Sequence, residues 1–151
     1  MTADLFFNRP EGTIVFTDQG RGPLVVMVPG LGDLKEEYRF LAPPVIAAGY
    51  RVVTADLRGL GNSSVGWPAY TNEALGSDIV ALLGYLGAAS ATVVGTSMGA
   101  GAAAWAAAEA PEVIDNLVLI GPFVRVLPPG PWWKTVALSV VRTFGTKGGV
   151  I

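Results

Sequence analysis

Ala91-Thr-Val-Val-Gly-Thr-Ser-Met-Gly-Ala-Gly101 decides how the rest of the chain is read. The β-branched run at 92–94 predicts a strand, Gly95-Thr96-Ser97-Met98-Gly99 a sharp turn, and the alanine-rich residues behind it a helix. A serine at the apex of such a strand–turn–helix sits in a strained conformation with its hydroxyl pointing out of the sheet end. Gly95 and Gly99 suit that geometry, because strand and helix pass too closely for a Cβ. Strain at a non-glycine apex costs about 1–3 kcal/mol and persists where function requires it. The pentapeptide is equally compatible with an ordinary small polar loop, so the flanking segments decide.

Working outward, a chain of 151 residues is long enough for one domain with a real core. A formal net charge of −2 argues against a polyanion-binding surface, so nucleic acid is not an expected partner. There is no cysteine, hence no disulfide framework and no thiolate metal site. No cluster of ligating residues suggests a metal, and none suggests a cofactor. The start, Met1-Thr-Ala-Asp-Leu-Phe-Phe-Asn-Arg-Pro10, lacks a basic region followed by an apolar run, so no signal peptide is expected. No apolar stretch reaches membrane-spanning length. A soluble cytoplasmic protein is therefore the expectation. The chain also contains no histidine, so a mechanism that needs an imidazole base cannot be completed within these residues.

Before the serine turn, the pattern alternates. Residues 12–18 read as a strand, and Leu5-Phe6-Phe7 as a short strand pairing with it in a hairpin. Leu24-Val-Val-Met-Val28 is a continuous apolar run, as in a strand buried on both faces of a parallel sheet. It ends at Pro29-Gly-Leu-Gly-Asp33, where Asp33 and Glu36 are spaced as a helix cap. A helix over 38–48 follows, interrupted by Pro43-Pro44, so a short turn comes first and the helix proper starts near Pro43 at its first position. Residues 50–55 form the next strand, running into Asp56-Leu-Arg-Gly-Leu-Gly-Asn-Ser-Ser64. Thr71 is a predicted N-cap, and Leu75, Ile79, Leu82, Leu83 and Leu86 recur at helical spacing up to Gly87. After the serine turn come a helix from Met98 to Glu109 and a strand over 113–120, stopped by Gly121-Pro122. Alternating strands and helices predict an α/β fold, a doubly wound and mostly parallel sheet. Residues 125–131 are a proline-rich break, and 132–144 a short apolar stretch.

Pro29-Gly-Leu-Gly32 after one buried strand, Asp56-Leu-Arg-Gly-Leu-Gly-Asn-Ser63 after the next and Gly95-Thr-Ser-Met-Gly99 after a third resemble, in order and spacing, the α/β-hydrolase superfamily. The resemblance is to the serine-nucleophile branch and to its amino-terminal part. It implies Ser97 as nucleophile, with the backbone N–H groups of Met98 and Leu31 as oxyanion-hole donors, each worth about 2.7–4 kcal/mol of transition-state stabilisation. Asp56, Arg58 and Ser63 read as residues that hold their loop by hydrogen bonds. The family often has His-Gly where this chain has Pro29-Gly30, and histidine and aspartate where it has Leu60 and Asn62.

The resemblance also implies an incomplete fold lacking the last strands. Residues 1–124 would be the core of the domain and 125–151 the start of a cap or lid. The family's acid and histidine follow the serine in chain order, beyond strands that this sequence does not reach. Loss of the base costs about 10⁶ in kcat, so negligible turnover is expected of the chain alone. The Trp132-Trp133 segment either lines an acyl pocket or awaits cover by other residues. The edge of the 113–120 strand invites self-association.

Two classes of function compete. The first is a serine hydrolase acting on a small-molecule ester or related acyl bond. A serine at the nucleophile position disfavours the aspartate-nucleophile dehalogenase and epoxide-hydrolase branches and leaves cofactor-free perhydrolase activity open. The second is a non-catalytic, hydrolase-like binding protein or truncated pseudoenzyme. A nucleotide-binding domain is the weaker third, since Lys35 and Ser64 stand where Gly30-Leu-Gly32 and Gly59-Leu-Gly61 would need a third glycine.

Overall fold

All five residues of β3 (Leu24–Val28) are buried, which puts that strand inside a sheet covered on both faces. The computed structural model describes residues 3–123. Their six strands are ordered β1-β2-β4-β3-β5-β6. β1 (Leu5–Arg9) and β2 (Gly12–Gln19) form the expected hairpin, and β2 joins β4 (Arg51–Ala55) antiparallel. From β4 through β3 and β5 (Ala91–Thr96) to β6 (Ile114–Ile120) the pairing is parallel. The sheet is thus mostly parallel.

Alternation along β3 sorts the core into two layers. Val26 and Val28 face the larger cluster with Val53, Val93, Leu75, Ile79 and Ala103, under α2 (Asn72–Tyr85) and α3 (Met98–Glu109). Val25 and Met27 face the smaller one with Tyr38, Ala42, Val52 and Val94, under α1 (Ala42–Ala47). The two long helices approach closely because Gly76 has no side chain: a Cβ there would lie 2.5 Å from Trp105 Cε3 and 2.8 Å from the Ala102 carbonyl oxygen. Thr71 caps α2 as expected, its hydroxyl accepting from Ala74 N–H at 3.2 Å. Replacing Thr71 with alanine removes that acceptor and should lower stability by about 1 kcal/mol. A reduced urea midpoint at unchanged slope measures it.

After β3 the short turn and the later helix start expected from the prolines are both present: a 3₁₀ turn at Lys35–Phe40 precedes the short α1. Pro43 and Pro44 lack amide hydrogens, so they are confined to the first turn of a helix, and α1 begins at Ala42. The Asp33–Glu36 cap does not form, and Leu34 precedes the turn without a side-chain cap. The Lys35 N–H is taken by Asp56 Oδ1 at 2.8 Å, a partner remote in sequence, and Glu36 pairs with Lys35 Nζ at 3.2 Å.

At the other side of the sheet, Leu117, Val118, Leu119 and Ile120 of β6 are each more than a third exposed. Among the described residues β6 has no neighbour on its outer edge. No helix of the described residues is long and apolar enough to cross a membrane. The proline-rich break, the 132–144 stretch and the Trp132-Trp133 pair lie outside the described residues.

Candidate active site at the serine turn

Ser97 sits between β5 and α3 with φ 50° and ψ −109°. It is the one non-glycine residue with positive φ among those described. L-residues pay for this conformation, so it must be held from outside. Three backbone bonds hold it. Ser97 N–H donates to the Ile120 carbonyl at 2.8 Å, and the Ser97 carbonyl accepts from Gly101 N–H at 3.1 Å and Phe123 N–H at 3.0 Å. The side chain is exposed at the carboxyl end of the parallel strands. Met98 is the first residue of α3, so its N–H is among those the helix cannot satisfy internally. That helix end carries partial positive charge beside the serine.

The flanking glycines are there for contact. A Cβ on Gly95 would lie 2.5 Å from the Gly99 carbonyl oxygen and 2.6 Å from Ala100 Cα. One on Gly99 would meet the Pro29 carbonyl and lie 2.5 Å from that of Val28. The loop after β3 therefore lies directly against the turn. A Cβ on Gly30 would stand 3.4 Å from Ser97 Cβ. Gly30 to Asp33 form a tight turn, closed by Asp33 N–H to the Gly30 carbonyl at 3.2 Å, with Gly32 at φ 81°. Leu31 is exposed in that turn. Glu37 Oε2 accepts from Gly30 N–H at 3.2 Å and holds the loop from below.

The Asp56–Ser64 loop is built by its own polar residues. Asp56, with a fully buried carboxylate, takes Lys35 Nζ at 3.0 Å and Lys35 N–H at 2.8 Å. Burial opposes the Lys35 charge, but Asp56, Glu36 and Asp4 together hold its pKa above the usual lysine range. The hydrogen bond from Asn62 Nδ2, 2.7 Å long, keeps the Asp4 carboxyl below its ordinary value. Arg58 reaches Asp78 through Nε at 2.7 Å and a second nitrogen at 2.8 Å, and stacks 4.3 Å over Trp67. Ser63 Oγ accepts from Val15 N–H at 2.9 Å and donates to the Asp56 carbonyl at 3.1 Å. Gly61, at φ 56°, packs on the Asp56 carboxylate, so this glycine serves the turn around a carboxylate and leaves no cradle for phosphate.

Ser97, Met98 and the Leu31 loop thus meet at one end of the sheet. Three residues with no sequence signal support them: Glu37, Tyr38 and Thr96. Tyr38 Oη donates to the Val28 carbonyl at 2.8 Å and lies 3.0 Å from Thr96 Oγ1. Burial pushes the phenol up to about 12.

A six-stranded, mostly parallel sheet with a strained serine between strand and helix defines an α/β hydrolase class. The profile of the alpha/beta hydrolase fold family matches residues 23–146, and this chain belongs to that family. A Mycobacterium tuberculosis protein named as a non-heme bromoperoxidase is 35% identical over 108 residues, covering 71% of this chain and 41% of the relative. Epoxide hydrolase B of the same species is 42% identical over 82 residues, 53% of this chain and 23% of its own. A solved hydrolase from Pseudomonas aeruginosa superposes with TM-score 0.80 at 27% identity, covering 92% of this chain and 53% of the other. The chain spans about half or less of the length of these relatives.

Proposed function

We propose that the chain carries the nucleophile side of a serine-hydrolase centre acting on ester or related acyl bonds. Ser97 Oγ would attack the acyl carbon, and the N–H groups of Met98 and Leu31 would receive the developing oxyanion. The observation that carries this reading is the conformation of Ser97. An exposed serine is held at positive φ by bonds from two later segments, a cost that an ordinary loop has no reason to bear. Serine at the apex argues against an aspartate nucleophile, so the epoxide chemistry in one relative's name is not carried over. An imidazole base cannot come from these residues, because the 151 contain no histidine.

That deficit supplies the test. A fluorophosphonate should label the chain on Ser97 faster as free imidazole is added, and the Ser97→Ala variant should take no label at that position. Without imidazole the rate should be lower by orders of magnitude, since loss of the base alone costs about 10⁶ in kcat in a serine triad. A folded chain that never labels at Ser97 at any imidazole concentration would support the non-catalytic reading instead.

A further inference from the structure

We propose that Tyr38 is a positioning residue for the Ser97 centre, tying the end of β3 to the end of β5 and so setting the spacing of the two loops that carry Leu31 N–H and Met98 N–H. This rests on the reading of Ser97 given above. Val28 is the last residue of β3 and Thr96 the last of β5. The ladder between these strands stops at the pair Val28 and Gly95. Beyond it the chains diverge, one into Pro29-Gly30-Leu31 and the other into Ser97-Met98. The Tyr38 hydroxyl bridges them at that point, 2.8 Å from the Val28 carbonyl oxygen and 3.0 Å from Thr96 Oγ1.

The single hydrogen of the phenol goes to Val28, so the Thr96 hydroxyl is the donor to Tyr38 Oη. Tyr38 is buried against Val25, Met27, Ala42, Val52 and Val94, which fixes its ring and leaves the hydroxyl one place to reach. Its raised pKa keeps it a neutral donor throughout the working range. Glu37, its neighbour in the same 3₁₀ turn, holds Gly30 N–H. One short turn therefore props the first loop directly and locks it to the second through the strand ends. A shift of about 1 Å in such groups costs on the order of 100-fold in rate.

Tyr38→Phe keeps the packed ring and removes the bridge. Imidazole-assisted labelling of Ser97 should fall about tenfold to 100-fold at saturating probe, with the half-saturating probe concentration little changed. Thr96→Val cuts the same bridge at its β5 end and should fall to a similar extent, and the double variant should be no worse than Tyr38→Phe. Amide resonances of both Leu31 and Met98 should move in Tyr38→Phe. The proposal is overturned if Tyr38→Phe labels as fast as the parent, or if its resonance changes stay within 35–42 and reach neither loop. Should the parent itself fail to label, the reading of Ser97 falls, and the two amide resonances still decide whether Tyr38 sets the loop spacing.

Discussion

Gly99→Ala should leave no natively folded protein. The added methyl would meet the Pro29 carbonyl and stand 2.5 Å from that of Val28, and both are backbone atoms at the end of the central strand. Side chains can rotate away from an intruder, whereas a strand inside a sheet cannot move without breaking its ladder on both sides. Gly95→Ala presses on the Gly99 carbonyl and Ala100 from the other direction. Each should cost more than about 4 kcal/mol, a large share of the 5–15 kcal/mol that holds a typical domain together. Gly84→Ala is the control, since its new methyl would have nothing within 4 Å and lies inside α2. That change should stabilise by about 0.5–1 kcal/mol. Circular dichroism during urea titration separates the three outcomes.

Lys35→Met comes second, at about 3–5 kcal/mol. The Asp56 carboxylate is wholly buried and would lose the ammonium 3.0 Å away, retaining backbone N–H groups from Lys35 at 2.8 Å and Asn62 at 3.3 Å. A buried charge without its counter-charge costs more than the pair gains, so the double variant Lys35→Met/Asp56→Asn should recover part of the loss. The pH dependence has a definite sign. The folded-state pKa of Lys35 lies above its unfolded value, so its contribution is complete below about pH 10.4 and is lost as pH rises through the folded value. The parent should therefore keep this contribution across the neutral range and shed it only in strong alkali. Denaturation midpoints of parent and variant should keep a constant gap from pH 7 to 10, and the gap should narrow as the series is carried beyond pH 11.

What the sequence reveals here follows from how local the physics is. The Thr71 cap, the residue types of the serine turn and the apolar β3 run are legible from neighbouring residues, and each element is in place. The apex of the serine turn, however, is held by Ile120 and Phe123, and Gly99 packs on Val28. The segment 33–48 is different. Its break at two adjacent prolines is legible, but its helical start is satisfied by Asp56, so a cap predicted from Asp33 and Glu36 competes with a partner that only the folded sheet brings near. Tyr38 escapes for the same reason. In sequence it is one aromatic in a helical pattern, and its role exists only once β3 and β5 lie side by side.

The clamp on Ser97 also orders events in time. Its N–H waits for Ile120 and its carbonyl, beside Gly101, for Phe123, both synthesised after the pentapeptide. Until β6 docks, only Gly101 N–H of the three backbone partners is in place, so less opposes relaxation of the apex into an ordinary negative-φ turn. The positive-φ geometry of Ser97 is therefore fully held only when β6 is in place. A chain ending before residue 120 would contain Gly-Thr-Ser-Met-Gly yet lack two of the three bonds that hold its apex.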